Sequence, residues 1–104
     1  MGIAMALALS LPSSGAAQDL ARGEKLFGLC LQCHGEAGEG NALALAPSIA
    51  GLGEWYVELT LKKFQSGARG LHQDDLEGLR MYPMVRALKS DDDIKAVSAY
   101  IASL

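Results

Sequence analysis

Both cysteines of the chain stand in one short stretch, CLQCHGEAGEG (Cys30 to Gly40), with His34 directly behind the second. Thiols at this spacing serve as a dithiol switch, as part of a zinc site, as a small disulfide or as an attachment point for haem. A Cys-x-x-Cys switch normally opens a helix in a strand–helix–strand setting. Here the pair closes a helical pattern with no strand pattern around it. Structural zinc takes four ligands. Cys30, Cys33 and His34 with the distant His72 would make the number, but three ligands within five residues are a cramped start to a tetrahedron. A disulfide across two intervening residues closes too short a loop to stabilise the chain much. Cys-x-x-Cys-His is also the attachment signature for c-type haem, and this reading uses every residue. Two cysteines one helical turn apart can form thioethers to one porphyrin edge, and the histidine that follows is aimed at the iron through Nε2.

The elements that must hold these groups read as three helices. The first is expected to open at Asp19, a good N-cap, and to run through LARGEKLFGLCLQC, with Gly23, Phe27 and Cys30 on one face. Gly23 inside a helix costs stability relative to alanine, and is tolerated best where another backbone approaches closely. GEAGEGNALALAPSIAGLG, rich in small residues and containing Pro47, reads as a loop that wraps something. The second helix, EWYVELTLKKFQSG, is expected to end at Gly67, with Lys62 and Lys63 favoured near its C-terminus by the dipole. A second irregular stretch, ARGLHQDDLEGLRMYPMVRALK, carries Arg69, His72, Met81, Pro83 and Met84. The last helix is expected to start at Ser90 with Asp93 as a variant capping box, and Ile94, Val97 and Ile101 on one face beside Tyr100. The fold class is all-α, small and loop-rich.

A chain of 104 residues is one domain, and a domain this small usually needs a disulfide, metal or cofactor to complete its core. The formal charge of −3, with both signs interspersed, sets nucleic-acid binding aside. No apolar stretch approaches the ~20 residues of a membrane span. Residues 1–17, MGIAMALALSLPSSGAA, resemble a signal-peptide remnant: an apolar run from Ile3 to Leu11, then Pro12, then small residues up to Ala16 and Ala17, where cleavage is expected. No Lys or Arg precedes the run. Residues 18–104 would then form the working domain, exported to the periplasm, where free thiols do not last.

From Gln18 to Leu104 the sequence resembles the class I cytochromes c of the small bacterial type, through RGEKLFGLCLQCHGEAGEG, APSIAG, FQSGARGLHQDD, GLRMYPM and DDDIKAVSAYIASL. The resemblance implies a fold in which N- and C-terminal helices cross, here placing Gly23 and Phe27 against the Ala99–Tyr100 region. It implies one covalent haem c on Cys30 and Cys33, its iron held by His34, and a hydrogen bond from His34 Nδ1 to the Pro47 carbonyl that fixes the ring. It also implies a methionine as sixth ligand, supplied just before the last helix. The family's Met-x-x-Met pattern puts it at Met81, with Met84 and a bis-histidine arrangement through His72 as the other candidates. Lys89 is an extra residue before the Ser90 cap, which shifts any count back from that cap by one.

The function implied is one-electron exchange between Fe(III) and Fe(II), with redox partner proteins docking briefly at the exposed haem edge. A free periplasmic shuttle leads. A permanently bound electron-transfer subunit of a larger dehydrogenase or reductase is the alternative, and a peroxidase or gas sensor with an open sixth site is a third reading. Arg69, Lys62 and Trp55 are possible donors to the haem propionates, each equally well explained as a surface or packing residue.

Overall fold

The computed structural model describes residues 2–6 and 14–104. Its regular elements are helices: α1 (Ser14–Phe27), α2 (Leu31–His34), α3 (Glu54–Ser66), α4 (Leu76–Val85) and α5 (Asp91–Ser103). Among the described residues the strand-like pairing is limited to one isolated bridge, Asn41 to Ala46. The all-α class holds, with five helices among the described residues in place of the three expected.

The expected first helix is corrected at both ends. It begins at Ser14, so it runs through the expected cleavage positions Ala16 and Ala17, in a small-residue segment whose alanines favour helix. The rest of the export-signal reading falls largely on Met1 and residues 7–13, outside the described residues. At the other end the helix stops at Phe27. Gly28, Leu29 and Cys30 donate to carbonyls three residues back, on Lys25, Leu26 and Phe27. Three-residue spacing tightens the chain, and Gly28 is a poor helix former. Cys30 therefore precedes a separate short helix that carries Cys33 and His34.

Helix α1 packs on α5 through Gly23. A Cβ at residue 23 would collide with the Ala96 carbonyl oxygen and lie 2.8 Å from Tyr100 Cβ. The expected close approach is thus present, centred on Ala96 and Tyr100. The rings of Phe27 and Tyr100 meet with centroids 5.3 Å apart. At the head of α5, Ser90 Oγ accepts from the Asp93 amide (3.2 Å), closing the expected cap. Asp93 reaches back to the Lys89 amide (3.3 Å), where an ordinary capping box would bond its own cap residue. It also pairs with Arg22 of α1, whose Nε lies 2.9 Å from Oδ1. One carboxylate therefore caps α5 and ties it to α1.

Helix α3 has the expected bounds and ends at Gly67. Lys62 is committed to Glu58 one turn back, at 2.9 Å, and not to the helix end. Between Ser66 and Ser90 the expectation of irregular chain is overturned by α4. Asp75 caps it by accepting from the Gly78 amide at 3.0 Å, and buried Val85 anchors its far end. Pro83 lies inside this helix but removes only one donor near the C-terminus, where neighbouring packing holds the helix. The core gathers Phe27 from α1, Leu61 and Phe64 from α3, Val85 from α4, and Val97 and Ile101 from α5.

Candidate functional site

The core is hollowed on one side. A cavity of about 530 Å³ opens between α3, α4, α5 and the loop after α2. Core residues Leu61, Phe64, Val85, Val97 and Ile101 form part of its wall, so their apolar side chains face open space as well as each other. The volume falls within the range of small-molecule and cofactor sites, ~300–1,000 Å³. An apolar void of this size forfeits the contacts that a close-packed interior would make. This chain is built to be filled.

The short-range motif delivers its chemistry to the rim. Cys30, Cys33 and His34 all line the cavity. His34 is 7% exposed, and its Nδ1 donates to the Pro47 carbonyl at 2.8 Å, which leaves Nε2 as the ring's other nitrogen. The loop that supplies Pro47 is held from within: the Gly40 amide donates to the His34 carbonyl at 2.6 Å, and the Ile49 and Ala50 amides donate to Gly38. No disulfide joins the two thiols. Burial pushes the Cys30 thiol up to about 11, so it stays protonated near neutrality. That counts against a thiol switch, which needs a depressed pKa. Among the described residues, no group of three or more His, Cys, Asp or Glu side chains is placed to hold a metal ion. The donor chemistry instead suits a porphyrin: two sulfurs for covalent attachment, one imidazole with a fixed ring, and an apolar chamber behind them.

Met81 is half-buried against the core and lines the same cavity, reached from α4. Met84, one turn further on, lines it too but is 40% exposed. His72 is in an exposed turn, where its Nδ1 accepts from the Asp74 amide at 3.1 Å, and it does not line the cavity. Of the basic and aromatic residues considered for the propionates, only Arg69 reaches the wall; its guanidinium sits 4.8 Å from the centroid of the Phe64 ring. Lys62 is paired with Glu58, and Trp55 is 72% exposed and away from the cavity.

Two wall features carried no sequence signal that was used. Residues 41–46 form a closed loop: Asn41 and Ala46 exchange backbone hydrogen bonds (2.9 and 3.0 Å), and Asn41 Oδ1 accepts from the Leu43 and Ala44 amides. Asn at the head of a short loop is a side-chain-stabilised turn signal and could have been read as one. Arg80, beside Met81, donates to the Ala44 carbonyl at 2.7 Å; nothing local marks a contact between residues 36 apart.

The cytochrome c family model matches residues 20–104. The chain is 37% identical over 87 residues to cytochrome c-554(548) of Halomonas halodenitrificans, covering 84% of this chain and 98% of that protein. It is 35% identical over 75 residues to the thiosulfate dehydrogenase electron acceptor of Stutzerimonas stutzeri, covering 72% of this chain and 32% of that longer protein.

Proposed function

This chain belongs to the cytochrome c family and is an electron-transfer protein with covalently bound haem c, and we propose that Cys30 and Cys33 hold the haem while His34 and Met81 ligate its iron. The observation that carries the proposal is the cavity itself, which brings the Cys30–His34 segment and Met81, about half the chain apart in sequence, onto one apolar chamber. Haem held there supplies one-electron exchange between ferric and ferrous iron.

The protein's own residues do the rest. The Pro47 carbonyl holds His34 in one tautomer and orientation, which keeps Nε2 basic and aimed. A thioether is soft and neutral, so Met81 favours the ferrous state. The apolar wall adds to this by penalising the extra positive charge of the ferric state. Arg69, on the cavity wall, would offer a positive charge to the carboxylates of a bound porphyrin. Cys33 is exposed, so a haem edge attached through it would lie near solvent, where redox partners would dock briefly.

We place the working protein in the periplasm, with residues 1–17 as a signal-peptide remnant and 18–104 as the functional domain; the support is the apolar run and small residues before Gln18. Among the described residues no helix is long and apolar enough to cross a membrane. One relative is named as an electron acceptor for thiosulfate dehydrogenase, which favours, as a second reading, service to one dehydrogenase over general shuttling.

The test is intact mass of the protein matured with haem-attachment machinery. The expected mass includes one haem; Cys30→Ala should lower holoprotein yield sharply, and normal haem content in that variant would refute the assignment. In the oxidised protein an absorption band at about 695 nm marks methionine–iron ligation. Met81→Ala should abolish it while Met84→Ala leaves it; the reverse would move the ligand to Met84.

A further inference from the structure

The helix that carries Met81 and the loop that carries Pro47 both line the cavity, and each is anchored elsewhere. Helix α4 packs on α3, while the loop is held by its bonds to Gly38, Gly40 and the His34 carbonyl. Among the described residues, a single hydrogen bond joins residues 35–53 to residues 68–89, from Arg80 Nη2 to the Ala44 carbonyl at 2.7 Å. Both residues line the cavity and the bond between them is exposed to solvent, which puts it at the cavity's mouth. Its donor is an ionised guanidinium, which makes it stronger than a bond between neutral groups.

The acceptor end is preformed. Asn41 Oδ1 takes the Leu43 amide (2.9 Å) and the Ala44 amide (3.2 Å), and the Asn41–Ala46 pair closes the loop behind them. Leu45 sits at φ 53°, a region L side chains rarely adopt, and it is the one non-glycine residue with positive φ among the described residues. Such strain persists only where surrounding contacts over-determine the backbone, and it concentrates at ligand clamps. Arg80 thus reaches a carbonyl whose position is set before it arrives.

We propose that Arg80 is a positioning residue: by bonding Ala44 at the cavity mouth it latches the Met81 helix to the His34 side of the site, and so resists displacement of the Met81 sulfur by outside ligands. This rests on Met81 as the sixth ligand. Opening the mouth requires the latch to break, so its contribution adds to the cost of replacing the thioether with a small base. Removing it lowers that cost without touching a ligand, the cavity wall near His34 or the haem attachment.

The experiment titrates the oxidised holoprotein with imidazole and follows loss of the band at about 695 nm. Arg80→Ala should bind imidazole roughly tenfold more tightly, equivalent to about 1.4 kcal/mol. Asn41→Ala, which loosens the acceptor loop and changes no charge, should move the affinity in the same direction. If both act on one latch, the double variant should bind no more tightly than Arg80→Ala alone. Unchanged affinity in Arg80→Ala, or effects of the two substitutions that simply add, would overturn the latch while leaving Met81 ligation intact. Absence of the band from the unmutated protein would overturn the Met81 reading and the latch together.

Discussion

Replacing Gly23 by alanine sets two effects of opposite sign against each other. Within an exposed helix, Gly to Ala stabilises by about 1 kcal/mol, because alanine has less backbone freedom to lose. Here the added Cβ would collide with the Ala96 carbonyl oxygen, with the Ala96 carbonyl carbon at 2.9 Å and Tyr100 Cβ at 2.8 Å. None of these atoms can swing aside by a change of rotamer. The helices must separate, and the Phe27–Tyr100 contact and the burial of Val97 loosen with them. Overpacking of this kind costs ~1–3 kcal/mol, and backbone obstacles place it at the upper end. The net expectation is destabilisation by about 2 kcal/mol, a fall in Tm of roughly 8–16 °C for a domain of this size. Thermal unfolding of the holoprotein by far-ultraviolet circular dichroism measures it. Ala21→Gly, at an exposed position of the same helix, isolates the propensity effect and should destabilise by about 1 kcal/mol. A Gly23→Ala protein as stable as the parent, or more stable, would refute the close-approach reasoning, since propensity would then outweigh contact.

Three further outcomes follow from single side chains. The Arg22 guanidinium, helped by the Lys89 amide and Ser90, holds the Asp93 carboxyl below the usual carboxylate range despite its burial. A depressed folded-state pKa means its stabilisation is complete above the unfolded value of about 4 and is lost as pH falls toward the folded one; Asp93→Asn should therefore flatten the acid limb of stability below about pH 4 in denaturant titrations, and an unchanged slope would show that other carboxylates carry it. Ser98 is 0% exposed and its hydroxyl has no hydrogen-bond partner, so Ser98→Ala should raise stability by about 1 kcal/mol, where a loss would reveal a partner for that oxygen. Gly40 has φ 88° with a would-be Cβ 2.7 Å from the Ser48 amide and 2.9 Å from the Pro47 carbonyl carbon, so Gly40→Ala should cost about 2–4 kcal/mol and disturb the His34–Pro47 bond; an unshifted His34 ring resonance in NMR spectra of the reduced protein would argue against that coupling.

Much of the site was legible because its chemistry is local. Cys30, Cys33 and His34 lie within five residues, and their types and spacing name a reaction with a porphyrin before any fold is known. The Ser90–Asp93 cap and the Gly67 stop are equally short-range, decided by groups three or four positions apart. Gly23 was readable for another reason: a residue unfavourable to its own helix implies a neighbour that requires it. Reading failed where local preference and packing disagree. The stretch from Ala68 to Lys89 reads as irregular chain, yet the Asp75 cap and the burial of Val85 hold α4 as a helix.

What the amino-acid order alone determined was that Cys30, Cys33 and His34 could attach and ligate a haem, since that depends on groups joined by a few covalent steps. The tertiary structure decided whether those atoms face a common space. His34 meets Pro47 across 13 residues, Arg22 meets Asp93 across 71 and Arg80 meets Ala44 across 36. No periodicity encodes such pairings, because each exists only once the helices have packed and closed the loops between them. The cavity is likewise a property of that packing, formed where helices α2 to α5 and the loops between them leave apolar walls standing apart.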